Sequence, residues 1–298
     1  MMILSKEITL SDNTKIYAEI YEKNHQTWLI ITHDLGEHCE RYHNLIKVLT
    51  ENYNVLVYDL RDHGKSISSS NKSNLHFQTY ISDLEEIIIF LKNNFRMNNF
   101  ILFGHSIGAL ITLAYIQQKQ FNTSAFYPEK IFVSAPPVSI KRPIGINLFS
   151  IDPASPTNSI LNKTIKKITS KIINFPFAIP ISIDRIINHN KLTHDTFTSE
   201  ILMTDTLSKK KIDLRLLLSM LDYSRKVFLR PINPQVPLAI TVGSNDDFVK
   251  VKSIRHYFSA IEKESHLKVI DGAYHNLHNE VYRFRQEYQS YLLNFLKS

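Results

Sequence analysis

The stretch Asn98–Gln118, NNFILFGHSIGALITLAYIQQ, decides the fold, because a strand pattern becomes a helix pattern at GHSIG (residues 104–108). The apolar run Phe100–Phe103 predicts a buried strand, and Leu110, Leu113 and Ala114 then recur at helical spacing. A serine at a helix start is usually a capping residue that accepts a backbone N–H bond. The alternative is that Ser106 reacts with a substrate. Motifs elsewhere in the chain are needed to decide between these two roles.

The composition is that of a soluble globular protein. The chain has 298 residues, of which 43% are hydrophobic and 21% charged. The N-terminus has no apolar stretch after a basic start, and no run reaches the ~18 apolar residues of a membrane span. A single cysteine, Cys39, excludes an internal disulfide and suits a reducing compartment. These features predict a cytoplasmic protein without a signal peptide.

Short apolar runs alternate with helical patterns along most of the chain, which predicts an α/β fold with a mostly parallel sheet and helices on both faces. The candidate strands are Lys15–Tyr21, Trp28–Ile31, Val55–Tyr58, Phe100–Phe103, Ile131–Ser134, Leu238–Val242 and His266–Ile270. The candidate helices are Tyr80–Asn93, Ile107–Gln118, Val251–Ile261 and Asn279–Leu296.

The alternation stops in the middle of the chain, where basic residues concentrate. Residues 141–230 carry 15 Lys and Arg against 7 Asp and Glu, whereas the remaining chain is close to neutral. We predict a core of residues 1–140 and 231–298 with an inserted, mainly helical segment at 141–230. Basic residues interleaved with groove-reading motifs are absent from the sequence, so nucleic-acid binding is not predicted.

Polar clusters follow the candidate strands at the ends where ligands bind in open parallel sheets. They read THDLGEHCERY after residue 31, DLRDHGKS after 58, GHSIG after 103, GSNDDFV after 242 and DGAYHNLHNE after 270. A GxSxG between strand and helix, followed by Asp and then His, has the order of a hydrolase catalytic triad. The joint pattern favours a reactive Ser106.

With these motifs, together with YDLRDHGKS, SAPP and LTHD, the sequence resembles the α/β-hydrolase superfamily. It is most similar to the monoacylglycerol lipase and lysophospholipase branch, also described as serine aminopeptidase-like. The resemblance covers nearly the whole chain and implies an α/β-hydrolase fold in which the insertion forms a helical cap. It implies a serine esterase that needs no metal or organic cofactor.

The resemblance assigns a catalytic triad of Ser106, Asp246 and His275. A serine hydroxyl needs a base to take its proton, and His275 after the last strand is the candidate. His278, His256 and His266 are its competitors. Asp246 would orient the imidazole, and the adjacent Asp247 is the alternative, since only side-chain direction distinguishes them.

The backbone N–H groups of Leu35 and Ile107 are the implied oxyanion hole. Here the chain departs from its relatives, which usually have glycine where this chain has Asp34 and Asp62. Aspartate tolerates a positive φ better than most residues, so the turns can survive. A carboxylate near a developing negative charge would oppose catalysis. We therefore hypothesise that Asp34 points into solvent or pairs with a basic neighbour, and the alternative is that both aspartates are neutral drift.

The resemblance also implies that Glu37, Arg41 and His278 bind the alcohol portion of the substrate. The alternative for Glu37 and Arg41 is an ion pair on one face of a short helix, because residues i and i+4 are neighbours there. His105 is expected to pack and hydrogen-bond rather than react.

The cap sequence NSILNKTIKKITSKIINF (158–175) places its apolar residues along one helical face. One interpretation is a basic amphipathic helix that contacts an anionic membrane surface, and the other is a cap helix with a solvated lysine face. The apolar residues of this face are Ile160, Leu161, Ile165, Ile168 and Ile172. The lysines lie at positions 163, 166, 167 and 171.

The sequence therefore predicts a cytoplasmic hydrolase of single-chain lipid esters, either monoacylglycerols or lysophospholipids, that acts through an acyl-enzyme. A peptidase or small-ester hydrolase on the same scaffold is one alternative. A non-catalytic binding protein that retains the fold, with Asp34 and Asp62 as signs of decay, is the other. The oligomeric state is not predicted.

Overall fold

The computed structural model describes residues 4–66, 75–120, 126–139, 179–185, 187–261 and 264–298. Ten strands lie in this part of the chain. They are β1 (Leu4–Thr9), β2 (Lys15–Tyr21), β3 (Thr27–Thr32), β4 (Asn54–Tyr58), β5 (Asn99–His105), β6 (Lys130–Ser134), β7 (Pro180–Ser182), β8 (Lys211–Asp213), β9 (Leu238–Gly243) and β10 (Ser265–Ile270).

Eight of these strands form the central sheet, in the order β1-β2-β4-β3-β5-β6-β9-β10. The pairs β1·β2 and β2·β4 are antiparallel, and every other pair in the sheet is parallel. Strands β4 and β9 are buried along their whole length, as expected of parallel strands covered on both faces. The predicted mostly parallel sheet is therefore confirmed.

The helices cover the two faces of the sheet. They are α1 (His43–Leu49), α2 (Phe77–Phe95), α3 (Ile107–Lys119), α4 (Thr196–Thr204), α5 (Leu214–Leu229), α6 (Val251–Ser259) and α7 (Tyr282–Lys297). Successive side chains of β3 belong to two different apolar clusters, because strand residues alternate between faces. One cluster contains residues of α2, α3, α5 and α6, and the other contains residues of α1 and α7.

The parallel strands end at the same edge of the sheet. Thr32 at the end of β3 lies opposite Tyr58 and Gly104, and Ser134 at the end of β6 lies opposite His105 and Thr241. The loops that follow these strands therefore meet at one rim, which is where the polar clusters of the sequence lie.

The candidate strands agree with the structure to within one or two residues, but β1 was not predicted. Its sequence LSKEIT buries only Ile8, so this antiparallel edge strand lacks the apolar run by which its neighbours were found. Strands β7 and β8 form a small antiparallel sheet in a segment expected to be mainly helical.

The described part of the insertion, residues 179–185 and 187–230, contains this small sheet and helices α4 and α5. The amphipathic helix expected at 158–175 lies outside the described residues. In the part of the chain that is described, every helix is too short or too polar to cross a membrane.

Candidate active site

Ser106 lies on a strained turn between β5 and α3. Its backbone has φ 50° and ψ −115°, a region that a residue with a Cβ rarely adopts. The side chain makes no capping hydrogen bond to α3, so the ordinary capping role is wrong for this serine. The hydroxyl is buried and, among the described residues, has no hydrogen-bond partner.

The two glycines of GHSIG allow the chain to pass close to its neighbours at this turn. A Cβ at Gly108 would lie 2.0 Å from the Thr32 carbonyl oxygen, and one at Gly104 would lie 2.4 Å from the Gly108 carbonyl oxygen. Both contacts are with backbone atoms and cannot be relieved by a side-chain rotation. The motif therefore has a packing reason at each glycine in addition to its reactive serine.

His275 and Asp246 are joined by a hydrogen bond of 2.7 Å between the His275 Nδ1 and Asp246 Oδ2 atoms. The other carboxylate oxygen, Oδ1, accepts the backbone N–H groups of Phe248 and Val249 at 2.8 and 2.9 Å. Asp246 is fully buried, whereas Asp247 is exposed. Side-chain direction thus distinguishes two adjacent aspartates that the sequence left open.

The competing histidines lie elsewhere. His256 is exposed on α6 and stacks on Phe228, and His266 is half exposed on β10. His278 is buried and stacks on Tyr42 with ring centroids 4.5 Å apart. Its burial and the nearby His105 lower the pKa of His278 well below 6.5, so the ring is neutral. In His275, by contrast, Nδ1 is hydrogen-bonded to the buried Asp246, and Nε2, like the Ser106 hydroxyl, has no hydrogen-bond partner among the described residues.

Asp34 occupies the implied oxyanion hole. Its Oδ1 atom accepts the backbone N–H of Leu35 at 2.6 Å and that of Ile107 at 3.2 Å. Its Oδ2 atom lies 3.7 Å from the free Nε2 atom of His275. The side chain is buried, so the hypothesis that Asp34 points into solvent is wrong. The basic neighbour with which it pairs is the candidate catalytic base itself.

The carboxylates of Asp246 and Asp34 determine the protonation of His275. Burial alone would lower the pKa of His275, but Asp246 and Asp34 together raise it to about 10. Burial would raise the pKa of Asp34, but the nearby charge of His275 lowers it to about 2. In this arrangement His275 is an imidazolium, which cannot take a proton from Ser106. An anionic oxygen already fills the position that the oxyanion of a reaction intermediate would take.

Asp62, the second departure from the related sequences, has a different environment. Its φ is 63°, in the left-handed region that aspartate tolerates better than most residues. Its carboxylate forms an ion pair of 2.5 Å with Lys209, which lies in the insertion. Asp34 does not have a positive φ. Asp62 therefore fits a turn that relatives make with glycine, whereas Asp34 changes the reactive centre.

Of the residues expected to bind the alcohol portion, Glu37 and Arg41 have separate side-chain partners within the protein. Glu37 accepts hydrogen bonds from the Tyr42 hydroxyl at 2.9 Å and the Asn276 amide at 3.2 Å. Arg41 instead pairs with Asp205 at 2.7 Å. An ion pair between Glu37 and Arg41 is therefore wrong as an interpretation, because each has another partner.

Two residues of this region were missed by the sequence reasoning. Asn276 links the His105 ring, at 2.9 Å from Nε2, to Glu37. Glu280 is fully buried and accepts hydrogen bonds from the backbone N–H groups of Tyr274 and His194. Both lie in the stretch DGAYHNLHNE, but nothing in the pattern of that stretch distinguishes a buried carboxylate from a surface one.

A small cavity, partly open to solvent, adjoins Asp34, Leu35 and Glu37. Its far wall is formed by residues of the insertion, which are both apolar and charged. They include Ile183, Ile187, Leu192, Leu202, Lys209 and Lys210.

Comparisons with known proteins agree with this fold. The model of the family described as "Serine aminopeptidase, S33" matches residues 23–282. Monoglyceride lipase of Rattus norvegicus is 24% identical over 262 residues, which cover 85% of this chain and 76% of the rat protein. The monoglyceride lipase homolog of Monkeypox virus is 21% identical over 296 residues, which cover 96% and 97% of the two chains.

Two solved structures have the same fold. A monoacylglycerol lipase from Paleococcus ferrophilus superposes with a TM-score of 0.75 at 19% identity, over 94% of this chain and 98% of the other. A soluble variant of monoglyceride lipase from Saccharomyces cerevisiae, in complex with a substrate analog, has a TM-score of 0.77 at 16% identity. That match covers 100% of this chain and 96% of the yeast chain.

Proposed function

Because the chain belongs to the serine aminopeptidase family of α/β-hydrolases, we propose that it hydrolyses the carboxylic esters of single-chain lipids. The observation that carries the proposal is the hydrogen bond of 2.7 Å between His275 and Asp246, beside a serine on a strained turn. This combination supplies a nucleophile, a base and a group that orients the base.

The proposed reaction begins when Asp34 takes the Nε2 proton of His275 and leaves the oxyanion hole as a neutral acid, so that the ester carbonyl oxygen takes its place. His275 then takes the proton of Ser106, whose oxygen attacks the carbonyl carbon. The Leu35 and Ile107 N–H groups stabilise the tetrahedral oxyanion. His275 returns the proton to the departing alcohol, which leaves an acyl-enzyme. A water molecule, deprotonated by His275, releases the fatty acid.

The apolar part of the cavity lining supports a substrate with an apolar chain. Ile183, Ile187 and Leu192 give it an apolar wall, and such sites bind mainly through apolar area. The relatives named above are monoglyceride lipases, so a monoacylglycerol is the proposed substrate. The basic insertion would favour an anionic head group or membrane surface over a neutral one, by an attraction that weakens with salt. A cytoplasmic enzyme that contacts the membrane only peripherally fits this proposal.

The position of Asp34 specifically favours a second candidate, a binding protein that has kept the fold without catalysis. In that case the carboxylate would stay in the hole permanently, and Ser106 would never be acylated. Glu37, Arg41 and His278 are proposed to contact the alcohol portion in the enzyme, and a ligand's polar end in the binding protein.

Covalent labelling by a fluorophosphonate, together with hydrolysis of a monoacylglycerol, tests the proposal. We expect labelling of the wild type that disappears in Ser106→Ala, and release of fatty acid by the wild type. Labelling that persists in Ser106→Ala would exclude this serine as the nucleophile. Neither labelling nor hydrolysis in both the wild type and Asp34→Gly would favour the binding protein. A panel of p-nitrophenyl esters and aminoacyl substrates separates lipases from peptidases and small-ester hydrolases.

A further inference from the structure

Asp34, His105 and His275 form a compact buried cluster. One carboxylate oxygen of Asp34 and one ring nitrogen of each histidine all lie within 4.8 Å of one another. All three side chains are at least nine-tenths buried. A serine hydrolase needs only His275 of these three, so the mechanism above leaves the other two groups unexplained.

Both histidines have one ring nitrogen fixed by a partner and the other without one. His275 donates its Nδ1–H to Asp246. Asn276 donates its amide N–H to Glu37, so the amide oxygen faces His105 and accepts its Nε2–H. The atoms left over are His105 Nδ1 and His275 Nε2, which are buried and have no hydrogen-bond partner among the described residues.

This arrangement is the one found around metal-binding histidines. Such a histidine almost always donates its second ring N–H to a carboxylate or carbonyl oxygen, which fixes the tautomer and directs the lone pair at the metal. Asp246 and Asn276 are these outer partners. The carboxylate has the same kind of support, because Asp34 Oδ1 is held by two backbone N–H groups while Oδ2 faces His275.

We propose that Asp34, His105 and His275 bind a divalent transition metal ion of the Zn²⁺ type and that the bound ion inhibits the esterase. Imidazole nitrogen and carboxylate oxygen suit Zn²⁺, and two ligands about 2.0–2.1 Å from a tetrahedral ion are ~3.4 Å apart. Asp34 Oδ2 and His275 Nε2 are 3.7 Å apart, so this pair needs little movement. All three ligand atoms lie within 4.8 Å of one another, so any pair farther apart than ~3.4 Å must approach on binding.

Binding would release the Nε2 proton of His275, and the ion would inhibit because it then takes the electron pair that His275 uses as a base. It would also hold Asp34 in the oxyanion hole. The cavity next to Asp34 is its access route. Metal binding does not depend on the proposed function, but inhibition does.

Titration of the chelator-treated protein with Co²⁺, followed by visible absorption and by bound metal after dialysis, tests the site. We expect one Co²⁺ per chain with the absorption of a tetrahedral ion. Asp34→Asn should weaken binding more than ~100-fold, and Asn276→Ala about 10–100-fold, the usual cost of losing an outer partner. Asp62→Asn is the matched control, because Asp62 is the other aspartate that stands in place of glycine, and it should bind as the wild type does.

Binding by Asp34→Asn as tight as that of the wild type, or equal loss in Asp62→Asn, would overturn the proposal, as would no binding by the wild type. Thermal unfolding of each variant shows whether it is folded. In the activity arm, Zn²⁺ should abolish ester hydrolysis by the wild type, and a chelator should restore it. Binding that depends on Asp34 in a protein without esterase activity would keep the metal site and reject the proposed function. Esterase activity in a protein that binds no metal would keep the proposed function and reject the metal site.

Discussion

The Oδ1 atom of Asp34 accepts a hydrogen bond of 3.2 Å from the backbone N–H of Ile107, one of the two donors that an ester carbonyl would need. The same oxygen also accepts the N–H of Leu35. A substrate must therefore displace a buried carboxylate before either donor can act. A residue of the chain itself therefore occupies the proposed oxyanion hole.

We expect Asp34→Gly to raise the rate of ester hydrolysis about 100-fold, since one oxyanion donor alone contributes 10²–10³ to kcat. The variant frees both donors and removes the negative charge from beside His275. Steady-state kinetics with a monoacylglycerol, in the presence of a chelator, measures the effect without interference from metal ions. Asp62→Gly is the control and should leave the rate within a factor of about two, because Asp62 pairs with Lys209 away from the hole. An unchanged rate in Asp34→Gly would mean that the carboxylate leaves the hole at no cost.

Asp246→Asn should lower kcat by about 10⁴ with little change in KM. The amide cannot hold His275 in the tautomer that presents a free Nε2 to the serine, an effect of this size in the serine protease triad. Asp247→Asn should keep the activity of the wild type, because Asp247 is exposed. If the two variants lost activity equally, the choice between these neighbouring aspartates would be wrong.

Glu280→Ala should lower the free energy of unfolding by ~3 kcal/mol, because it leaves several buried donors without an acceptor. Two of these donors are the backbone N–H groups of Tyr274, next to His275, and His194 in the insertion. Urea unfolding measures the loss, and Glu200→Ala on the exposed face of α4 is the control. A loss no greater than that of Glu200→Ala would contradict a structural role for the buried carboxylate.

The stability of the protein should depend on pH through Glu19 and His43, whose side chains are 2.7 Å apart. The hydrogen bond to Glu19 raises the pKa of His43 above 6.5, so its contribution is complete below pH 6.5 and is lost as the pH rises through the folded-state pKa. Burial would raise the pKa of Glu19, but His43 and Tyr21 lower it below 4.5. That contribution is present above pH 4.5 and is lost as the pH falls through the folded-state pKa.

The pair should therefore stabilise most between pH 4.5 and 6.5. We expect His43→Gln to lower the free energy of unfolding by ~0.5 kcal/mol in that window, since the histidine is partly exposed and screened by water. The difference should shrink on both sides of the window. Thermal unfolding of the two proteins across pH 4–9 measures it, and a difference that is constant with pH would exclude the ion pair as its cause.

The sequence was sufficient for the fold because its signals are local. Continuous apolar strands, helical spacing and the glycines of GHSIG each act within a few residues, so the strand positions and the turn at Ser106 could be predicted. Strand β1 was not predicted, because an edge strand with one buried residue has no continuous apolar run.

The interior of the site depends on contacts between distant residues, which a pattern cannot show. Arg41 pairs with Asp205, 164 positions away, rather than with its helical neighbour Glu37. The side chain of Asp34 turns toward Ile107 instead of toward solvent. Two buried N–H groups and the imidazolium of His275 stabilise its carboxylate more than hydration would. That choice is made by three segments that meet only in the folded protein.

The backbone of Ser106 bears on whether this chain has lost its activity. A non-glycine residue held at φ 50° and ψ −115° carries a backbone strain on the order of 1–3 kcal/mol. A glycine at this position would relieve much of that strain. A lineage released from the need for a nucleophile would gain stability by making that exchange. The serine at this position thus has a thermodynamic disadvantage, and reactivity is the property that offsets it.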